Sequence, residues 1–313
     1  METGGGISLA RPWRMRRVGR CKTLVVSLFV VGPGVLTGCG ATKPSADTIA
    51  ATNGKQSDSS PSSFNPMHWI NAIRAFRSDD PDTIRVPILV YHSIAPHHPG
   101  QTGEQRELDV DPAVFRAQMN YIVEHRHPVV PLSAVVAALQ GRGSIPDRAV
   151  AITFDDGWQN QYDDAMGVLR DHGFTATFFV YTTVIDDGPG FMTWDELRQL
   201  KSAGMTIGSH SRTHPELTKK GVSLTNEIVG SREDIRKNLG AAPDLFAYPY
   251  GDWDDRVVAA VRSAGYVAAR GMGEGPANTK GNLFALKSIQ PTDDMQAFER
   301  ALGDRPAASP ARR

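Results

Sequence analysis

Four side chains in two short runs could do hydrolytic chemistry together. The run Thr153-Phe154-Asp155-Asp156-Gly157 ends an apolar stretch, Ala149-Val150-Ala151-Ile152, with two adjacent carboxylates and a glycine. The run Ser209-His210-Ser211-Arg212-Thr213-His214 follows a second strand-like stretch, Met205-Thr206-Ile207-Gly208, with two imidazoles four residues apart. One carboxylate and two imidazoles make a set of three ligands for a divalent cation. Such a set leaves positions open for water and substrate, as catalytic sites require and closed structural zinc sites do not provide. The second carboxylate is then free to act as a base. Adjacent residues leaving a strand point to different sides, so Asp155 and Asp156 need not compete for one place. The four-residue spacing of His210 and His214 would bring their rings together on a helical turn. Two histidines and one aspartate suit Zn²⁺, and Co²⁺, Ni²⁺ or Fe²⁺ also fit.

These side chains must be held by elements whose pattern is readable. Strand-like runs cover Val86–Tyr91, Val150–Phe154, Thr175–Tyr181, Thr206–Gly208, Leu245–Ala247, Gly265–Ala268 and Leu286–Ile289. Between them, helical periodicity covers Pro112–His125, Leu132–Gln140, Asp163–His172, Trp194–Ala203, Leu224–Leu239 and Asp254–Ala264. Thr193 and Glu196 have capping-box spacing. Gly173, Gly204, Gly240 and Gly265 stand where helix-ending glycines belong. Such alternation predicts parallel strands with covering helices, and about seven strands predict a distorted, incomplete (β/α)7-type barrel. Both motifs then fall just after strands, at the end of a barrel where loops build active sites.

Composition limits the partners. The 313 residues hold 34 basic and 34 acidic side chains. Six of the bases and one acid (Glu2) fall within the first 38 residues, so the remainder carries about five net negative charges. No basic footprint for nucleic acid is expected. The early cluster (Arg11, Arg14, Arg16, Arg17, Arg20 and Lys22) precedes the apolar run Leu24–Val31 and small residues near Gly38, the layout of an export signal. Glycine and proline break that run too early for a spanning helix. Residues 39–66 read as a flexible tether and 67–84 as a lead-in segment, with a short amphipathic helix at Met67–Phe76. The domain is expected over 85–295, with a disordered tail at 296–313.

The two runs resemble the catalytic motifs of the NodB-type polysaccharide deacetylases, carbohydrate esterase family 4. The likeness covers about Arg85 to Ile289. It begins at Val86-Pro87-Ile88-Leu89-Val90-Tyr91-His92-Ser93-Ile94, which is similar to the first strand of the branch acting on poly-N-acetylglucosamine. The resemblance implies Asp155 as base, and Asp156, His210 and His214 as metal ligands. It also implies the backbone N–H of Tyr250, in Phe246-Ala247-Tyr248-Pro249-Tyr250-Gly251, as oxyanion donor, with Trp253 near the acetyl pocket. Two positions depart from it. Ala247 stands where many members have an arginine that tethers the base. Leu283–Ile289 lacks the late histidine that acts as general acid. His92, ending the first strand on the same face, is then a substitute acid, or a histidine that only orients Asp155 or fills the barrel mouth. Trp158 and Tyr181 are expected in loop packing, His97-His98 in solvent, and the polar face of Thr225–Lys237 as a solvated helix surface.

The expected activity is metal-dependent removal of N-acetyl groups from an extracellular or cell-wall polysaccharide, poly-β-1,6-N-acetylglucosamine first. Peptidoglycan or chitooligosaccharide deacetylation, acetyl-xylan esterase activity and weakly active glycan binding are the alternatives. Leu36-Thr37-Gly38-Cys39 is similar to the bacterial lipobox. It implies a lipid anchor on Cys39, removal of Cys21, no disulfide, and a place in the bacterial cell envelope beside separate polysaccharide synthesis or export machinery.

Overall fold

The computed structural model of the chain describes residues 82–273 and 275–304. The export signal, Cys21, Cys39, the tether and the Met67–Phe76 segment lie outside the described residues. No helix among the described residues is long and apolar enough to cross a membrane.

The chain enters through β1 (Thr83–Arg85), which straddles the expected boundary between the lead-in segment and the domain, and passes into β2 (Ile88–Tyr91) and β3 (Ser93–Ile94). Helix α1 (Gly103–Leu108), the short strand β4 (Asp109–Val110), α2 (Pro112–Glu124) and α3 (Leu132–Leu139) lead to the central strand β5 (Ala151–Asp156). Then follow α4 (Met166–Asp171), β6 (Thr177–Val180), α5 (Trp194–Ser202), β7 (Thr206–Ser209), α6 (Gly230–Leu239), β8 (Leu245–Ala247), α7 (Asp255–Ser263), β9 (Ala268–Arg270), β10 (Ala277–Thr279) and α8 (Met295–Ala301). Single π-helical turns, Gln161–Ala165 and Thr225–Val229, precede α4 and α6. The helix starts follow local chemistry. Asp111 caps α2 with Pro112 in its first turn, Thr193 and Glu196 form the expected capping box of α5, and Asp254 caps α7.

The main sheet has six parallel strands in the order β2-β5-β6-β7-β8-β9. The expected seventh strand, Leu286–Ile289, is reduced to two bridges, because each end pairs with a different edge. Leu286 pairs with Arg270 on β9, and Ile289 pairs with Leu89 on β2. The backbone bonds Gly271 N–H to Leu286 O (3.0 Å) and Val90 N–H to Ile289 O (2.8 Å) close the gap between the sheet edges. The result is a curled parallel sheet with helices outside, the distorted (β/α) barrel that the alternation predicts.

Side-chain alternation sorts the core. Leu89, Tyr91, Ile152, Phe154, Phe178 and Val180 join one cluster with Phe115, Met119, Leu169 and Leu197 of the helices. Ile88, Ala151, Phe179 and Ala247 belong to a second cluster with residues of α3 and α7. On β5, Ala151, Thr153 and Asp155 share the face opposite Ile152 and Phe154. Gly208 is required here: a Cβ on it would stand 2.4 Å from the Phe179 ring.

The tail corrects an expectation. Residues 296–304 are not disordered; Asp294 caps α8, and Phe298 is 2% exposed against the helix layer. The Pro/Ala/Arg-rich composition that suggested disorder begins only after Asp304. Asp304 accepts from His127 Nε2 (2.7 Å), Tyr121 Oη (3.1 Å) and Arg148 Nη2. Burial works against its charge, but His127, Arg148 and Tyr121 outweigh it and hold its pKa below the ordinary carboxylate value. Phe298→Ala is expected to destabilise the chain by about 3–5 kcal/mol in urea unfolding. The Asp304 contribution is full above the unfolded carboxylate pKa of about 3.9 and is lost as pH falls through the lower folded value. Asp304→Asn should therefore flatten the acid limb of a stability-against-pH curve and leave its alkaline limb unchanged.

Candidate active site

The four motif residues gather at the C-terminal ends of β5 and β7, with β6 between the two strands: Asp155 and Asp156 end β5, and His210 and His214 follow β7. Asp155 shares the inward face of β5. Simple alternation would send Asp156 to the helix layer, but its φ of 77° breaks the strand there, and Gly157 follows at 83°. A Cβ on Gly157 would meet Val180 and Ile185 at 3.1 Å, so this turn needs glycine twice over. His210 continues β7. The loop after it is not helical, so His210 and His214 do not meet through helical spacing. Left-handed backbone at Ser211 (68°) and His214 (58°) folds the loop back instead, with the His214 N–H bonded to Ser211 Oγ at 3.0 Å. Non-glycine residues in this region are uncommon and collect at functional sites.

Ligand atoms of Asp156, His210 and His214 all lie within 4.8 Å of one another. His214 Nε2 is 3.3 Å from His210 Nε2 and 3.4 Å from Asp156 Oδ1; His210 Nε2 is 3.6 Å from the same oxygen. The three groups suit a divalent cation. His210 is pushed down to about 3 by burial, so its ring is neutral, and its Nδ1 lies 2.8 Å from the Ala247 carbonyl. An Nδ1–H donated there leaves the Nε2 lone pair facing the cluster. Asp156 Oδ1 is buried with no hydrogen-bond partner. Burial, with the Asp155 charge adding, raises the Asp156 pKa, a penalty that a cation beside it would relieve.

Asp155 is 3% exposed and adjacent, yet shifted the other way. Burial pushes its pKa up, but the Arg270 guanidinium, with His210 and His92, outweighs that and holds it below the ordinary value. Arg270 Nη2 bonds directly to Asp155 Oδ2. His92 Nε2 stands 3.9 Å from the same oxygen and His210 Nε2 3.7 Å from it. Ala247 thus does not leave Asp155 untethered. Arg270 escapes a pattern reading because the expected strand ends at Ala268, whereas β9 spans Ala268–Arg270. The usable signal was a lone charge after a strand of small apolar residues, which requires a buried partner.

Other partners also lie outside the motifs. Trp158, expected only in loop packing, stacks on Phe191 at 4.5 Å and also donates its indole N–H to Asp156 Oδ2 at 3.0 Å. Tyr181 packs against His214, ring centroids 5.1 Å apart. The helix after Ser223 is not merely a solvated surface. Glu227 is 5% exposed and accepts from the backbone N–H groups of Arg212 (3.1 Å) and Thr213 (2.8 Å). Asp234 accepts from Thr182 and Arg212. These acids hold the histidine loop, and the π-turn carrying Glu227 is a common device near functional sites. Gln161 donates to the carbonyls of both His92 and Asp155. His97, expected in solvent, lies 2.7 Å from Asp293.

Tyr250 (φ 59°) is 63% exposed, with its ring 4.7 Å from that of His214. Trp253 is 40% exposed and packs towards Tyr248 and Gly271. The exposed Tyr250 ring thus stands beside the cluster, with Trp253 three residues further on. A cavity of about 1070 Å³ lined by Val130, Ile145, Phe174 and Met205 lies at the opposite, N-terminal ends of the strands and shares no residue with this site.

Residues 142–269 match the family model described as polysaccharide deacetylase. The match marks this stretch as a polysaccharide deacetylase domain, of a family of hydrolases. Among its relatives is the peptidoglycan-N-acetylmuramic acid deacetylase PdaA of Bacillus subtilis, 26% identical over 55% of this chain and 60% of that protein. Another is the poly-beta-1,6-N-acetyl-D-glucosamine N-deacetylase of Staphylococcus aureus, 23% identical over 64% of this chain and 72% of that protein. The deacetylase PplD of Streptococcus pyogenes, solved with acetate, superposes with a TM-score of 0.64, covering 70% of this chain and 98% of its own at 24% identity, and so shares the fold.

Removing the Trp158 hydrogen bond should loosen Asp156. Trp158→Phe is expected to weaken Zn²⁺ binding about 10–100-fold in calorimetric titration, with the fold retained.

Proposed function

We propose that the chain is a metal-dependent polysaccharide N-deacetylase, acting on poly-β-1,6-N-acetylglucosamine, with Asp156, His210 and His214 as metal ligands. The observation that carries this is the spare carboxylate. Asp155 is buried beside the three-group cluster, kept ionised, and bound through one oxygen to Arg270. A site that only bound glycan would have no use for it.

A divalent ion, when bound, would polarise the amide carbonyl and lower the pKa of water from about 15.7 towards about 7. Asp155 takes the proton of the attacking water as the O–C bond forms. The backbone N–H of Tyr250 donates to the developing oxyanion. His92, directly after β2 and beside Asp155, delivers a proton to the amine nitrogen as the C–N bond breaks. Acetate and a free amine result. Tyr250 and Trp253 offer aromatic faces to the sugar.

The Staphylococcus aureus relative's name supports the β-1,6-linked polymer. The Bacillus subtilis relative's name favours peptidoglycan as the second reading. The proposal extends to place: Leu36-Thr37-Gly38-Cys39 supports a lipid anchor on Cys39 in the bacterial cell envelope, on polymer made or exported by separate machinery.

The purified chain, chelated and then reloaded with Zn²⁺, Co²⁺ or Ni²⁺, should release acetate from β-1,6-linked N-acetylglucosamine oligomers in preference to β-1,4-linked ones. Asp155→Asn should lower that release about 10²–10⁴-fold. Metal binding without acetate release from either oligomer or from peptidoglycan would leave only a binding role.

A further inference from the structure

We propose that the segment Met67–Phe76 of this chain, which lies outside the described residues, docks into the cavity of about 1070 Å³ at the N-terminal ends of the strands and seals the base of the barrel. The inference does not depend on the deacetylase reading.

The cavity lies under the starts of β5, β6 and β7. Thr175 and Met205, just before β6 and β7, line it. Val129 and Val130 line it too, beside Val150 just before β5. Phe174 and Met166 add large apolar side chains that are only half-buried. Ser144, Gly173 and Ala203 at its edge are exposed, so it opens to solvent. Protein interiors are close-packed, with few voids larger than a water molecule. A concave apolar surface of this size marks a place where another group binds.

The chain itself arrives at this end. β2 and β5 begin in register, Ile88 beside Ala151, so the residues before β2 stand at the N-terminal ends of the strands. Ile84 of β1 packs on the same cluster of buried side chains as Ala134, and that cluster includes Val130 and Ile145 of the cavity wall. Upstream of β1, Trp69, Ile70, Ile73 and Phe76 fall at positions i, i+1, i+4 and i+7, one apolar face at helical spacing. Anchors at this spacing are what an amphipathic helix lays into an apolar groove.

Reach and concentration favour this occupant over others. Six residues, Arg77 to Asp82, separate Phe76 from Thr83, a span of roughly 20 Å when extended. A connection this short holds the segment at an effective concentration on the order of millimolar. Trp69 and Phe76 would each bury about 150–250 Å² there. A second copy or a separate protein would have to offset the entropy of association as well.

The experiment replaces Trp69, Ile73 or Phe76 of the full chain, one at a time, with the photo-reactive residue p-benzoylphenylalanine and maps the cross-links by mass spectrometry. The expected result is cross-links within one molecule to peptides that contain Ala134, Phe174 or Met205. Trp69→Ser combined with Ile70→Ser, read from position 76, should lower those cross-links about tenfold or more, as the loss of two buried apolar side chains would. Cross-links between two molecules would assign the cavity to a second copy. Cross-links to peptides elsewhere, or none from any of the three positions, would leave the segment undocked. Each of these results overturns the proposal, and so do cross-links to the cavity wall that the paired serine substitutions do not lower.

Discussion

Two carboxylates adjacent in sequence and buried at the end of one central strand impose the main constraint on this molecule. Each is out of water and each repels the other, so neither can remain charged without positive or donating groups brought to it. β5 cannot supply them, because its other side chains are apolar or small. They come from elsewhere: His92 after β2, His210 and His214 after β7, Arg270 from β9. Only a sheet curled far enough to bring β9 opposite β5 makes that set possible. The closing segment Leu286–Ile289, pairing with both sheet edges, belongs to the electrostatics of the site as much as to the fold.

The two acids are then differentiated by what reaches them. Asp155 meets a permanent cation and is held ionised; Asp156 meets neutral rings and an indole N–H and is pushed the other way. Adjacent groups with opposite shifts are the pattern from which separate roles in one reaction arise. The same location concentrates unusual backbone: Asp156, Ser211, His214 and Tyr250 all have positive φ. Such conformations persist only where surroundings over-determine them. Here the surroundings are Gly157, the Glu227 carboxylate under the histidine loop, and the Trp158 bond.

Local chemistry was legible where one element decides it. The alternation of runs between Val86 and Ile289 marked a parallel sheet with covering helices. Thr193–Glu196 marked the start of α5, and Gly173, Gly204, Gly240 and Gly265 all take positive φ past helix ends. Even the reduced seventh strand was visible as an apolar run. The tail from 296 was misread because composition averages over a short window. One cap at Asp294 and one buried ring at Phe298 outweigh the residues that follow Asp304.

By itself the sequence determined which residue types stand beside each other along the chain: the paired acids after one strand, the paired imidazoles after another, and the aromatic run at Tyr248–Tyr250. These are short-range facts, set by period and spacing. The tertiary structure decided everything that depends on separation across the barrel. Sequence separations of 115 from Asp155 to Arg270, and of 14 from Thr213 to Glu227, hide pairs that only sheet curvature and loop folding bring into contact. A buried charge announces that it needs a partner, because leaving it unpaired costs so much. It does not announce which strand will supply one.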